Sequence, residues 1–165
     1  MCYSYVGIAM SASLRMGYHR KLPLSDPLEA EVRKRIFWTV RKMGIYVGTL
    51  LGLPKGIQDE DLDQEYPLEI NDQYISQGGL SQFPSGEPSS AGAANAHTRL
   101  LMILDKIGKN IYPIKGMQLS TSGHRAGYMI SYATVHAIEE ELEKWHSELP
   151  MYLRRGEDAP VRFVR

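Results

Sequence analysis

Two pairs of possible metal ligands lie near the C-terminal end of the chain. His136 and Glu140 are one helical turn apart, and Glu143 and His146 are nearly as close. Imidazole and carboxylate groups bind zinc, manganese or iron, but a zinc site needs three or four converging ligands. The glutamate-rich residues 139–144 are typical of a solvated helix face. A small all-α enzyme that depends on a metal ion is therefore an alternative hypothesis, and we favour a structural role for these residues.

Other residues with catalytic potential lack the context that their chemistry requires. Ser122, Gly123 and His124 are consecutive, but the chain has no Gly-x-Ser-x-Gly elbow and no evident strand before them. Residues 52–56 contain glycine and lysine without the spacing of a phosphate-binding loop. Cys2 has no histidine near it in sequence, so a nucleophilic role is not supported. We predict no catalytic residue, and the sequence identifies no cofactor-binding residue.

An acidic tract in residues 59–65 has a spacing that could suit calcium. Its carboxylates alternate along the chain, as oxygen ligands do in a calcium loop, although it contains no central glycine. Leu62 within the tract and Tyr66-Pro67 after it favour an extended connector instead. We predict that the connector lays Leu62 and Leu68 against the core while its carboxylates face water or neighbouring arginines.

The sequence also predicts a long helix just before this acidic tract, which should position it. Asp26 can cap the helix, Pro27 suits the first helical position, and Glu29 occupies the capping-box position. Gly52 can adopt the left-handed conformation that ends a helix, and Pro54 prevents the helix from resuming. The sequence therefore predicts a helix from residue 26 to residue 51.

Apolar spacing predicts which side of this helix is buried. The apolar residues recur at spacings of four or three, which indicates one helical stripe. These residues are Val32, Ile36, Val40, Met43, Val47 and Leu50. We expect the stripe to be buried and the cations to lie mostly on the wet side; the cations are Arg33, Lys34, Arg35, Arg41 and Lys42. Gly44 and Gly48 share one face and predict a close helix crossing.

Three further helices and a loop complete the prediction. A first helix over residues 3–16 should bury Ala9 and Ala12, and a third helix should run from residue 93 to residue 112 and end at Pro113. A fourth helix, residues 122–149, carries a heptad-like seam with Trp145 as a core anchor. Residues 76–92 are rich in glycine, serine and proline and predict a flexible surface loop. The fold class is all-α, an irregular multi-helix bundle that forms one domain over residues 1–165.

Composition limits the functional classes. The chain has 19 Lys+Arg against 19 Asp+Glu, so it lacks the basic excess of a domain that binds nucleic acid by itself. We therefore do not expect this segment to bind DNA directly. Its single cysteine excludes an internal disulfide and fits a reducing compartment. No apolar window reaches the length of a membrane span, and the N-terminus lacks the pattern of a secretory leader. We expect no membrane partner and a soluble protein that begins within or just before a helix, as a fragment would.

At this point several motifs carry a family resemblance. Residues 33–38 (Arg-Lys-Arg-Ile-Phe-Trp), 50–54 (Leu-Leu-Gly-Leu-Pro) and 57–67 occur in an order that resembles the fungal-specific transcription factor domain. A Leu-x-x-Trp-x-x-x-Leu-Pro-x-x-Leu pattern in residues 142–153 extends the resemblance. The motif residues, to which we assign structural roles, are Arg35, Phe37, Trp38, Gly52, Pro54, Asp59, Asp61, Asp63, Pro67, Trp145 and Pro150. The chain departs from the family at Gly44, where an aspartate is common, and at Leu53, where an arginine is common.

The resemblance implies a noncatalytic regulatory domain of a nuclear protein that controls transcription by RNA polymerase II. DNA recognition would come from a separate zinc cluster module, and because this chain has one cysteine, zinc is expected only in that module. Protein partners or self-association are expected, and a small effector between the helices is conceivable. A stand-alone interaction domain whose gene never encoded a zinc cluster remains a further alternative.

Overall fold

A computed structural model describes residues 1–54, 56–76, 79–81, 84, 87–111 and 131–154. The four described helices are α1 (Cys2–Arg15), α2 (Pro27–Leu51), α3 (Ser90–Ile111) and α4 (Tyr132–Ser147). A two-residue antiparallel pair, β1 (Ile75–Ser76) with β2 (Gly79–Leu80), and three short 3₁₀ turns lie between or after them. The all-α prediction is confirmed. No helix in the described ranges is both long and apolar enough to cross a bilayer.

The limits of α2 follow from its capping residues. The Asp26 side chain accepts a hydrogen bond from the Leu28 amide at 3.0 Å, and Pro27 occupies the first turn. Gly52 adopts a φ of 64°, and the Leu53 amide donates to the Gly48 carbonyl at 2.8 Å. Both predicted ends are therefore confirmed. Glu29 does not complete a capping box, since its carboxylate pairs with Arg33 at 2.6 Å.

The predicted buried stripe of α2 is wrong. Val32, Ile36, Met43 and Leu50 are exposed, and only Val47 of the predicted six is buried. The buried face instead carries Phe37, Trp38, Ile45 and two charged side chains, Glu31 and Arg41. Arg41 is 2% exposed, so its assignment to the wet side is wrong too. The physical reason is that hydrogen bonds and ion pairs from neighbouring segments compensate both buried charges.

α1 crosses α2 at a glycine. A Cβ atom on Gly44 would lie 3.8 Å from the side chains of Val6 and Met10, and Gly48 is buried as well. This placement confirms the predicted close approach of a helix to the glycine face. The buried residues of α1 are Met10 and Ser13, whereas Ala9 and Ala12 are exposed, so that part of the prediction is wrong. The face that meets α2 is set by Met10, which fills the space beside the glycine.

The main core lies between α1, α2 and the segment after α2. Met10, Phe37, Trp38 and Ile57 form its buried centre. Six partly buried residues surround this centre: Leu14, Tyr18, Val40, Leu62, Tyr66 and Met102. α3 packs on α2, and α4 packs on α3. Segments distant in sequence are therefore joined around the Phe37-Trp38 pair.

α4 buries the predicted seam. Ile138 and Leu149 are buried, and Val135, Leu142 and Trp145 are half-buried. The Trp145 indole donates to the Ala96 carbonyl of α3 at 2.8 Å, as expected of a core anchor. α4 ends at Ser147, two residues before the predicted end, and its predicted start near Ser122 lies outside the described residues.

The segment before α3 is shorter than the sequence indicates. α3 begins at Ser90, so residues 90–92 of the predicted loop are helical. The carboxylate of Glu87 accepts hydrogen bonds from Asn71 at 3.2 Å and from Tyr74 at 3.0 Å. The predicted end of this helix at residues 112–113 and the Ser122-Gly123-His124 motif lie outside the described residues. Flexibility within residues 76–92 remains a prediction.

Candidate functional site: the connector clasp

Residues 57–72, here called the connector, lie against both α2 and α3. Several side chains hold the connector, and we call four of them the clasp residues: Glu31 and Arg41 from α2, and Asn95 and Lys109 from α3. Three of the four are buried although they are polar or charged. A buried polar group stabilises a fold only when its hydrogen-bonding capacity is used, so each contact of the clasp matters.

Arg41 is the central cation of the clasp. Its guanidinium donates to the Ile57 carbonyl at 3.2 Å and forms an ion pair with Asp59. Lys109 of α3 approaches the same Asp59 carboxylate at 3.7 Å and pairs with the buried Asp105 at 2.9 Å. Burial opposes the protonated form of Lys109, but the hydrogen bond and charge of Asp105 and the charge of Asp59 raise its pKa above the ordinary value. Four alternating charges thus join α2, the connector and α3.

Glu31 holds the far end of the connector. Both of its carboxylate oxygens accept from the Leu68 amide, at 3.0 and 3.2 Å, and it also accepts from Arg35 at 3.0 Å. Arg35 in turn pairs with Asp72, where the connector ends. A buried carboxylate that receives backbone and guanidinium donors is compensated for its lost hydration. The carboxylate therefore fixes the backbone at Leu68 relative to α2.

Asn95 supplies the matching contact from α3. Its amide donates to the Pro67 carbonyl at 2.7 Å and to the Glu69 carboxylate at 3.2 Å. Pro67 is buried, and Arg99 one turn later pairs with Glu69 at 3.3 Å. The connector is consequently held by α2 on one side and by α3 on the other within three consecutive residues.

An aromatic cluster lies between the two ends of the clasp. The Trp38 indole stacks on Tyr66 with ring centroids 4.3 Å apart, and it meets Phe37 edge-on at 5.5 Å. Its N–H donates to the Glu65 carbonyl at 2.8 Å. Tyr66 is also covered by the Arg99 guanidinium at 5.5 Å, and burial raises the pKa of its phenol. Trp38 thus contacts the connector through both its ring face and its polar edge.

The connector also closes the C-terminal end of α1. The amides of Asp63 and Gln64 both donate to the His19 carbonyl, at 3.2 and 3.1 Å. The Gln64 side chain donates to the Tyr18 and Arg20 carbonyls at 2.9 and 3.0 Å. These bonds provide donors for three consecutive carbonyls in the turn that follows α1. The chain just after α1 is therefore tied to the connector through its backbone carbonyls.

The carboxylates of the connector face cations, as the sequence predicts for part of them. Asp63 accepts from the Lys21 amide at 2.8 Å and from Arg20 at 3.2 Å. Glu65 pairs with Lys21 and, at 3.1 Å, with Lys34. The Lys21 amide is the main cause that lowers the pKa of Asp63, and the Lys21 ammonium is the main cause that lowers the pKa of Glu65.

These shifts predict a weak acid dependence of stability. Both carboxyl pKa values are lower in the folded chain, so their contribution is complete above the ordinary values of 3.8 and 4.5 and is lost as the pH falls through the lower folded values. Carbon-13 NMR titration of Glu65 should give a midpoint below 4.5, and Lys21→Met should move it upward. A midpoint that does not move in Lys21→Met would show that Lys34, not Lys21, holds this carboxylate.

The remaining motif residues support chain turns and contacts between segments. The Tyr3 hydroxyl donates to the Pro54 carbonyl at 2.9 Å, which ties the start of α1 to the turn after Gly52. Asp61 accepts from the Gln58 amide at 3.4 Å within the short 3₁₀ turn Asp59–Asp61. Pro150 precedes the 3₁₀ turn Met151–Leu153, whose Leu153 amide donates to its carbonyl at 2.9 Å.

The alternative metal ligands do not come together. His136 lies on the exposed face of α4, 3.4 Å from Glu140 and 3.9 Å from Glu139, and His146 is exposed as well. Within the ranges that the structure describes, no group of three histidine, cysteine or acidic residues could hold a metal ion. Cys2 is exposed at the start of α1. Among the described residues, therefore, the histidine and glutamate pairs do not form a metal centre.

A shallow cleft of about 200 Å³ opens beside the clasp between α2 and α3. Thr39, Lys42, Asn95 and Thr98 line it together with Arg35 and Trp38. The Asn95 amide is already engaged by the connector, and the Thr98 hydroxyl donates to the Ala94 carbonyl at 2.7 Å. Most of the polar groups of the cleft thus serve the fold.

Sequence reasoning missed all four clasp residues as positioning groups. Glu31, Asn95 and Lys109 carry no motif signal, and Arg41 was assigned to solvent. One signal was available, because Phe37 and Trp38, the largest apolar side chains of α2, do not belong to the predicted stripe. A helical face drawn through Trp38 includes Glu31, Arg41 and Ile45.

The sequence of the chain matches a known family and several known fungal proteins. Residues 1–147 match the sequence model of a protein family, the fungal specific transcription factor domain. The chain is 38% identical over 158 residues to Activator of stress genes 1 of Saccharomyces cerevisiae, covering 92% of this chain and 15% of that protein. It is also 38% identical over 165 residues to Activator of stress genes protein 1 of Candida albicans, covering 93% of this chain and 17% of that protein.

A third relative comes from another fungus. The chain is 34% identical over 152 residues to Transcriptional activator protein acu-15 of Neurospora crassa, covering 91% of this chain and 15% of that protein. The chain thus spans less than a fifth of the length of each of these relatives. No solved structure matches it. The relatives are named as activators of genes or of transcription, and none of these names describes an enzyme.

Proposed function

Since the chain belongs to the fungal specific transcription factor domain family, we propose that it is a noncatalytic regulatory scaffold of a nuclear regulator of RNA polymerase II transcription. In this proposal the scaffold keeps three helices in a fixed arrangement and presents their outer surfaces to other proteins. DNA binding belongs to a separate zinc cluster module. The single observation that carries the proposal is the clasp, which commits the buried charges of the described core to holding the connector.

The clasp supports a structural role over a catalytic one. A catalytic acid or base needs a reactive atom that is free to contact a substrate. Both carboxylate oxygens of Glu31 instead accept from the Leu68 amide, and Arg41 donates to Ile57 and Asp59. Charges used in this way make one arrangement of α2, α3 and the connector much more favourable than others. A rigid arrangement is what a regulatory surface requires.

A reporter experiment tests this proposal. The complete 165-residue chain is fused between a heterologous DNA-binding module and an activating segment in a yeast cell that carries the matching promoter. We expect reporter transcript to change at least threefold relative to a fusion without the chain, at equal promoter occupancy measured by chromatin immunoprecipitation. Arg41→Ala should abolish the change, whereas the exposed Glu139→Ala on α4 should retain it. Equal transcript with and without the chain would contradict a regulatory role.

A further inference from the structure

The side of α2 that faces away from the core is mostly apolar, and its Thr39 also lines the cleft between α2 and α3. Core-facing positions include the charged Glu31 and Arg41 beside Phe37, Trp38 and Ile45, so charged residues are not confined to the solvent side as on a usual surface helix. We call the outward residues the outer seam. They are Val32, Ile36, Thr39, Met43, Tyr46 and Leu50. All six are exposed, and Leu50 is 68% exposed. A contiguous apolar face of this kind marks an interaction surface.

The outer seam has the period of a helix-pairing surface. Its six residues are spaced by four, three, four, three and four positions, which is the a/d repeat of a coiled coil without interruption. From Val32 to Leu50 the seam runs about 27 Å along the helix axis at about 1.5 Å per residue. This geometry fits a second helix laid along α2 better than a flat surface or a small molecule.

The rim of the seam carries charge of one sign. The flanking positions that correspond to e and g include Arg33, Arg35 and Lys42, and none of the flanking positions between Val32 and Leu50 is acidic. Arg33 and Arg35 already have carboxylate partners within α2, whereas no described carboxylate pairs with Lys42. Lys42 is half-buried beside the seam, and burial lowers the pKa of its ammonium. An acidic partner would compensate this charge.

A second copy of the chain fits the rim poorly. If two seams pair antiparallel about their midpoint, the two Lys42 ammonium groups become neighbours. If they pair parallel, Arg35 and Lys42 face Val40 and Val47 of the other copy and gain no opposite charge. Flanking charges of a coiled coil determine partner choice, so the rim favours a partner of different sequence.

We propose that the outer seam docks an amphipathic helix of a partner protein that is apolar at its a and d positions and carries glutamate or aspartate at its flanking positions. The seam supplies apolar contact area, and Lys42, the rim cation without a described carboxylate partner, favours an acidic partner. The inference rests on the proposed regulatory function, since it names the chemistry of the partner that the scaffold would engage. Its test measures binding only, so binding can fail while the reporter result stands.

Two synthetic peptides separate this proposal from its alternatives. Both are four-heptad helices with leucine at a and d; one has glutamate at every e and g position and the other has lysine. Binding of each labelled peptide to the full 165-residue chain is measured by fluorescence anisotropy at low and at high salt. We expect the glutamate peptide to bind about tenfold more tightly at low salt and the preference to shrink as salt increases.

Matched variants locate the contact. Met43→Glu and Leu50→Glu should each weaken the glutamate peptide at least tenfold, and Lys42→Glu should remove most of the preference between the peptides. Met151→Glu, at an exposed apolar residue away from α2, should change neither affinity. Circular dichroism verifies that each variant is folded, and the use of two seam variants covers the failure of one to fold.

Three results would overturn the proposal. Equal affinity for both peptides would remove the role of the rim, and unchanged binding by both seam variants would place the contact elsewhere. Sedimentation analysis provides the third. A dimer of the wild-type chain that Met43→Glu dissociates would assign the seam to a second copy instead.

Discussion

Trp38→Ala is expected to lower the free energy of unfolding by about 4 kcal/mol, since removal of a large buried aromatic side chain typically costs about 3–5 kcal/mol. Trp38 is 4% exposed, stacks on Tyr66, meets Phe37 and donates to the Glu65 carbonyl. Its loss therefore removes contact area from the core and leaves the Glu65 carbonyl without its indole donor. Urea denaturation followed by circular dichroism measures the change.

A conservative variant separates the two contributions of Trp38. Trp38→Phe keeps most of the ring contacts and removes the indole N–H, so it should cost about 1–2 kcal/mol, the loss of one hydrogen bond plus a small packing loss. A similar cost for both variants would indicate that the hydrogen bond to Glu65, rather than the aromatic cluster, dominates.

Arg41→Ala is expected to lower the free energy of unfolding by about 3 kcal/mol, because breaking a buried ion pair on one side costs about 3–5 kcal/mol. We expect the lower end of this energy range because Asp59 is itself about two-fifths exposed and can be rehydrated. The Ile57 carbonyl would lose its donor, and Lys109 would remain near Asp59 and Asp105. The same denaturation measurement quantifies the effect.

The adjacent lysine provides the matched control for this variant. Lys42 is half-buried, but no carboxylate in the described ranges pairs with it, and burial disfavours its charged form. Lys42→Met should therefore change stability by less than about 0.5 kcal/mol. If Lys42→Met were as destabilising as Arg41→Ala, loss of helix surface rather than loss of the clasp would explain both results.

The ends and the class of the helices could be predicted because they depend on local chemistry. Asp26, Pro27 and Gly52 act within one turn of the helix ends, and the structure places them as expected. The seam of α4 was predictable for the same reason, since its apolar residues recur at helical spacing and pack on α3. Local rules of this kind depend only on neighbours in sequence.

The orientation of α2 could not be predicted from apolar spacing. Periodicity identifies an apolar stripe, but it does not tell whether that stripe faces the core of the same chain. In α2 the core-facing side tolerates Glu31 and Arg41 because Leu68 pairs with the Glu31 carboxylate, and Ile57 and Asp59 accept from the two terminal guanidinium nitrogens of Arg41. Those partners are 16 to 37 residues away, and their position depends on the fold of the connector.

The chemistry of the connector was predictable in kind but not in detail. Its carboxylates were expected to face water or arginines, and Asp59 and Asp63 do pair with Arg41 and Arg20. The lysine partners of Glu65 and the role of Lys109 were not apparent, because these pairs depend on how α1 and α3 meet the connector. Identifying a charge as paired requires knowing which segments converge.

Hydrogen bonds between residues 18–20 and the connector join two segments that lie more than forty residues apart in sequence. The amides of Asp63 and Gln64 both donate to the His19 carbonyl, and the Gln64 side chain donates to the carbonyls on either side of His19. We expect the amides of Asp63 and Gln64 to lose their protection from hydrogen exchange when residues 18–20 open, since that opening breaks the bonds they make. Loosening the chain just after α1 would then also loosen the segment on which Trp38 stacks.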